Sequence, residues 1–200
     1  MQPISPIRAV LLAYGMSGRV FHAPLLSAHP DFELLGLWQR RSQEPPAEWP
    51  GLRVYGSFET LLEDPSAALV VVNTPEPTHY PYARAALEAG KHVLVEKAFT
   101  LDPGEARALI DLAAERQRVL GVFHNRRWDS DFLTLRQLLA SGRLGTLRHY
   151  QARYDRWRPQ LSGSWKEQAG PGASALYNLG SHLIDQALLL FGMPGAVFAS

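Results

Sequence analysis

From Ile7 to Phe123 the sequence alternates short apolar runs with longer stretches of helical spacing, and that alternation restricts the chain to an α/β architecture. The runs Ile7 to Ala13, Phe32 to Trp38, Ala68 to Val72, His92 to Val95 and Val119 to Phe123 have the length and apolarity of strands, with a weaker run at Arg53 to Tyr55. Helical spacing is clearest over Arg19 to Ala28, over Tyr80 to Glu88 with Ala89-Gly90 as a stop, and over Pro103 to Gln117 with Asp102 as a cap. Strands linked through helices pair in parallel. Six of them make about one doubly wound sheet of the Rossmann type.

Beyond Phe123 the pattern changes. Asn125 to Asp131 is polar, Phe132 to Ala140 is helical and ends at Ser141-Gly142, and Leu147 to Arg158 suggests a strand with aromatic and arginine residues. Ser162 to Ala173 has the Gly and Ser content of a loop, and Ala175 to Phe191 is a long amphipathic helix ending at Gly192, followed by a strand beginning at Ala196 to Ser200. We therefore expect a first domain over 1–124 and the beginning of an α+β domain over 125–200. The second has too little sheet to bury its helix, so the chain is expected to be an incomplete form of a longer protein or to need a partner.

Composition narrows the chemistry. With 46% hydrophobic residues the chain can bury a core, and a net charge of +1 gives no single-signed field to draw nucleic acid or a membrane surface. Zero cysteines exclude disulfides, thiol catalysis and thiolate metal ligands, and fit a reducing, cytoplasmic setting. The opening residues hold neither a signal peptide nor a membrane span. His22, His79, His124, His149 and His182 are scattered without ligand spacing, so no metal site is expected. A small-molecule substrate is the expected partner.

The first strand runs directly into Ala13-Tyr14-Gly15-Met16-Ser17-Gly18 and then a helix. A dinucleotide-binding turn needs a tight first position, a glycine where backbone approaches the pyrophosphate, and another where helix packs on strand. Gly15 and Gly18 fit the second and third roles, and Ala13 stands at the first, where a methyl group is tolerated only with ordinary backbone dihedrals. The backbone of Tyr14, Gly15, Met16, Ser17, Gly18 and Arg19 is then the expected phosphate cradle. After the second strand comes Gln39-Arg40-Arg41-Ser42, with no acid to accept from ribose hydroxyls and two guanidiniums suited to a 2′-phosphate. NADP is favoured over NAD.

With these motifs in place the sequence resembles the glucose-fructose oxidoreductase, inositol dehydrogenase and MocA family over essentially its whole length. The resemblance is carried by AYGMSGRVFHAP at Ala13 to Pro24, VNTPEPTHYPYARAALEAGKHVLVEKAFT at Val72 to Thr100 and GSHLID at Gly180 to Asp185, with HNRRWDSDF at His124 to Phe132 in support. It implies a Rossmann domain followed by an open-faced, mainly antiparallel sheet domain that forms the substrate site and joins homo-oligomers. It also implies that the last part of a typical member is absent here.

By the same resemblance Asn73, Thr74, Pro75 and His79 line the nicotinamide pocket, and Glu96 and Lys97 match the family's Glu-Lys-Pro motif. Lys97 then donates to the substrate oxygen and stabilises a developing alkoxide. An Asp and a His four residues apart align with Asn178 and His182, giving His182 the role of proton shuttle and Asn178 that of an orienting amide. Arg126, Arg127, Trp128 and Tyr154 are open to either a sugar-contacting or a structural role. Ala13, Ala98 and Asn178 depart from the family's Gly, Pro and Asp. The expected function is hydride transfer between a nicotinamide and a secondary alcohol or carbonyl of a sugar or cyclitol, and the departures motivate a non-catalytic, cofactor-binding sensor as the alternative.

Overall fold

The structure, a computed structural model, describes residues 5–40, 42–155, 157, 159–160, 163, 170 and 172–199. They belong to two compact units, Met1–Phe123 and His124–Ser200. The first is built on six strands: β1 (Ile7–Leu11), β2 (Phe32–Leu37), β3 (Arg53–Val54), β4 (Leu69–Val72), β5 (His92–Val95) and β6 (Leu120–Val122). All pair in parallel in the order β3-β2-β1-β4-β5-β6. The strand order reverses between β1 and β4, and a crevice at the carboxyl ends of those strands is where such sheets bind ligands.

Burial on both faces explains why these strands are continuous apolar runs. Val10, Leu12, Val70, Val72, Val93 and Val95 point into one core, against Phe58, Leu61, Leu87 and Leu109 from helices. Their neighbours Ala9, Leu11 and Val71 point into the other, with Leu37, Ala23 and Leu26. The first core is covered by α2 (Phe58–Glu63), α3 (His79–Glu88) and α4 (Pro103–Glu115), and the second by α1 (Ala23–Ala28), which continues a π-helical turn at Gly18–His22. The Rossmann expectation holds, strand for strand.

Helix ends follow local chemistry. The Asp102 carboxylate accepts from the amides of Gly104 (2.7 Å) and Glu105 (3.1 Å), and Pro103 takes the first helical position, where no amide partner is needed. Gly90, at φ +74°, ends α3 as expected. Sequence reasoning missed α2. Its signal was Ser57 three residues before Thr60, a reciprocal cap in which each side chain takes the other's amide at 3.1 Å.

The second unit contains a 3-10 turn at Asn125–Trp128, α5 (Ser130–Ala140), a π-helical turn at Leu176–Gly180 and α6 (Ser181–Phe191), closed by Gly192 at φ +77°. The strands expected at Leu147 to Arg158 and Ala196 to Ser200 do not form among the described residues. A strand exists only where a second strand takes its amides and carbonyls, and no described residue of this unit supplies one. Most of the loop expected at Ser162 to Ala173 lies outside the described residues. No helix among the described residues is long and apolar enough to cross a membrane.

The cap on α4 gives a direct test. Asp102→Ala should cost about 1 kcal/mol in urea unfolding with an unchanged slope; an unchanged midpoint would show that Asp102 does not cap the helix.

Candidate functional site

The phosphate-type turn leaves β1 at the point where the sheet reverses. Arg19 N donates to Gly15 O at 3.0 Å, the first helical bond, so the amides of Met16, Ser17 and Gly18 stand ahead of the hydrogen-bonded helix. The two glycines differ. A Cβ at Gly18 would lie 2.6 Å from the Ala13 carbonyl oxygen and 3.0 Å from Asn73 Nδ2, so the fold itself requires glycine there. A Cβ at Gly15 would meet nothing within 4 Å. Among the described residues Gln117 is the one non-glycine with positive φ, so Ala13 lies in backbone space open to any L-residue.

Asn73, at the end of β4, fixes this turn. Its Oδ1 accepts from Leu12 N at 3.2 Å and its Nδ2 donates to Ala13 O at 2.8 Å. Leu12 N also keeps its ladder bond to Val71 O at 3.1 Å, so the side-chain amide reinforces the end of β1 and extends the hold to the Ala13 carbonyl, and the residue is almost completely buried. Tyr14, expected at the cofactor, packs its ring against the core under β1 and β2, and burial pushes its phenol up. Gly15, Met16 and Arg19 are exposed, and Ser17 is half-buried.

At the end of β5 a second cluster forms. Glu96 N continues the ladder to Val72 O at 2.9 Å, which sets the Glu96 backbone beside the end of β4. One carboxylate oxygen lies 2.9 Å from His22 Nε2 and the other accepts from Lys97 N at 3.2 Å. Burial pushes the Glu96 carboxyl up, but the His22 hydrogen bond and charge and the Lys97 contacts outweigh it and hold it below the usual carboxylate range. The His22 ring is covered by Phe123, centroid to centroid 4.4 Å. The Lys97–Ala98 peptide bond is cis.

His79 is fully buried, Nε2 facing Thr74 O at 2.8 Å and Nδ1 facing Ala98 O at 2.8 Å and Phe99 O at 3.2 Å. Carbonyl oxygens only accept, so the ring faces acceptors on both sides. His79 therefore braces the Thr74 loop against the loop after Lys97. The Thr78 hydroxyl, 2.6 Å from Pro75 O and 2.7 Å from the Thr74 hydroxyl, folds the Thr74-Pro75 segment into its turn.

Past β2, Arg40 is exposed and lines an open cavity of about 480 Å³ with Gln39, Ser57 and Glu59. Its wall is aromatic: Trp38, Phe58 and Tyr82 pack with ring centroids 4.8 to 5.8 Å apart. Arg41 lies outside the described residues.

In the second unit, Asn178 belongs to the π-helical turn, its amide donating to Ser174 O at 2.9 Å, and the buried His182 begins α6. Their four-residue spacing thus spans the junction between the π-helical turn and α6. Asp185, one turn on, takes both arms of Arg127 at 2.8 and 2.5 Å and stands 3.8 Å from His124 Nδ1. Arg126 pairs with Asp129 at 2.8 Å, and its carbonyl accepts from Gln186 at 3.0 Å. Of the two roles open to Arg126 and Arg127, the structure favours the structural one, whereas Trp128 is largely exposed. No group of three or more His, Cys, Asp or Glu residues among the described ones is arranged for a metal.

Sequence reasoning missed His22 and the clamp made by Asn73. Their signals were present, a histidine closing the first helical turn and an amide side chain ending an apolar strand, but neither identifies a partner 74 or 61 residues away.

Comparison with known proteins agrees with this geometry. A family model for the NAD-binding Rossmann fold of GFO/IDH/MocA oxidoreductases matches residues 7–124, and one for a GFO/IDH/MocA C-terminal domain matches 132–200. The chain is 48% identical to the uncharacterised oxidoreductase YdgJ of Escherichia coli, over 94% of this chain and 54% of that protein. It is 41% identical to IolW of Bacillus subtilis, a scyllo-inositol 2-dehydrogenase (NADP(+)), over 98% of this chain and 55% of IolW. The solved structure of the oxidoreductase YvaA from Bacillus subtilis superposes with a TM-score of 0.88 at 40% identity, over 97% of this chain and 55% of that one. The chain spans about half the length of the curated relatives it matches. With both family models matched in order and the sheet, turn and strand-end residues in their places, the chain belongs to the GFO/IDH/MocA family of NAD-binding oxidoreductases.

Proposed function

We propose that this chain serves an NADP-preferring dehydrogenase or reductase acting on a secondary alcohol or carbonyl of a cyclitol or sugar. The observation that carries the reading is the contrast between the two glycines of the turn. Gly18 is required by the protein's own packing, whereas no described residue crowds Gly15, so its lack of a side chain serves a ligand brought against the backbone. The amides of Met16, Ser17 and Gly18 would hold the pyrophosphate. Arg40, with no acid at Gln39 to compete, would hold the 2′-phosphate, with Arg41 assigned the same role from sequence. IolW, whose name specifies both NADP and scyllo-inositol, supports the cofactor preference and the substrate class.

The nicotinamide supplies hydride exchange at its C4 when bound. Asn73, Thr74 and Pro75 are assigned to the walls beside it, with His79 bracing them from behind. Lys97 is assigned to the substrate oxygen, donating a hydrogen bond, stabilising the developing alkoxide and passing on its proton. For the second unit, the family resemblance supports proton shuttling by His182 and an orienting role for the Asn178 amide. The lack of cysteine supports a cytoplasmic setting, and the resemblance supports a homo-oligomer.

In titrations followed by nicotinamide fluorescence, NADPH should bind more tightly than NADH by about 1.5 to 3 kcal/mol, the weight of a hydrogen bond to a charged group, and Arg40→Ala should remove most of that difference. No binding of either by folded protein would end the proposal. Gly15→Val should weaken NADPH binding at least about tenfold, roughly 1.4 kcal/mol, while leaving the melting temperature in place; equal binding would mean that Gly15 faces no ligand. With NADP+ and scyllo-inositol, Lys97→Ala should lower kcat by about a hundredfold or more, the scale of general acid-base assistance, and unchanged turnover would remove Lys97 from the reaction.

A further inference from the structure

We infer that His22 is a positioning residue for Lys97: it holds one oxygen of Glu96 at 2.9 Å while the other oxygen accepts the Lys97 amide, so the lysine's loop is tied to the helix that opens at the dinucleotide turn. The inference rests on the role proposed for Lys97.

Three observations carry it. Both partners are withdrawn from water, the His22 side chain at 2% and that of Glu96 at 13% exposure. A surface pair would contribute little, but a buried carboxylate needs donors, and removing one leaves charge without compensation. Here the donors are the His22 ring and the Lys97 backbone, one on each oxygen. The second observation is the path. His22 closes the π-helical turn that begins at Gly18, with Ala23 N reaching back to Gly18 O. Gly18 in turn sits against the Ala13 carbonyl, and that carbonyl is clamped by Asn73. A short run of direct contacts therefore joins the backbone cradle to the loop after β5.

The third is chemical. Glu96 and Lys97 are adjacent, and the lysine's charge is one of the influences that keep the Glu96 carboxyl low. A carboxylate held by His22 and by the Lys97 amide has one donor on each oxygen. Without the His22 hydrogen bond it turns to the nearest cation, and the Lys97 ammonium becomes both more strongly protonated and less available to a substrate oxygen.

Lys97 can be followed without substrate, because the chain has three lysines, Lys91, Lys97 and Lys166. Trace labelling with acetic anhydride across a pH series, read by mass spectrometry, gives the midpoint at which the Lys97 amine becomes reactive, with Lys91 as internal reference. His22→Ala should move that midpoint up by about half a pH unit or more, Glu96→Gln should move it down, and His22→Gln, which keeps a donor, should return it to the wild-type position. A folded His22→Ala with an unmoved Lys97 midpoint overturns the inference. Should His22→Ala fail to fold, an identical Lys97 midpoint in His22→Gln and Glu96→Gln overturns it equally. The labelling also separates this inference from the reading beneath it. Retained turnover in Lys97→Ala would end the lysine's catalytic role and leave a labelling shift standing, whereas lost turnover with no labelling shift would end the inference alone.

Discussion

The side-chain amide of Asn73 is the constraint on which the site depends. Where β1 and β4 part at the reversal of strand order, Leu12 N still reaches Val71 O at 3.1 Å, and the Ala13 carbonyl beyond it is taken by Asn73. Asn73 supplies both a donor and an acceptor to that backbone at 3.2 and 2.8 Å, so the chain leaves the sheet without an orphaned polar group. The turn then has one shape. Gly18 fits under it because nothing larger does, and the helix that follows starts with its unbonded amides at the mouth of the crevice.

A second organising element is the use of buried histidines as braces. His22 and His79 approach the strand-end loop after β5 from different elements, one through the Glu96 carboxylate and the other through the Ala98 and Phe99 carbonyls. Between these two contacts lies Lys97. Neither ring is exposed, and each makes hydrogen bonds that connect segments distant in sequence. A loop held from two sides loses little further conformational freedom when a ligand arrives, which is what a preorganised site requires.

The first unit was largely legible from sequence because its information is local. Apolar runs such as Leu69–Val72 and His92–Val95 are strands in any parallel sheet, and Asp102-Pro103 or Ala89-Gly90 mark helix ends by their own chemistry. Short-range order was lost where strands are short or contacts are long. The six residues of α2 were hidden by the two-residue β3 before them, and the ring of His22 gives no sign in sequence that its partner is Glu96. The error at Leu147 to Arg158 has a different origin. The aromatic and arginine content there suits a strand, but a strand is a relation between two segments, and content describes only one. For Arg127, whose role the sequence left open, the partner Asp185 that takes its two arms lies 58 residues away.

The margins of the sheet carry a consequence of their own. One outer strand, β3, has two residues and the other, β6, has three, whereas the strands inside run to four, five and six. An edge this short offers another chain few open amides and carbonyls, and Arg53 adds a charge to the shorter one, its guanidinium stacked over Tyr55 and bound to Asp64. The Rossmann unit thus offers strand addition little to pair with, so copies that meet during synthesis or refolding find only a short template in each other's sheet.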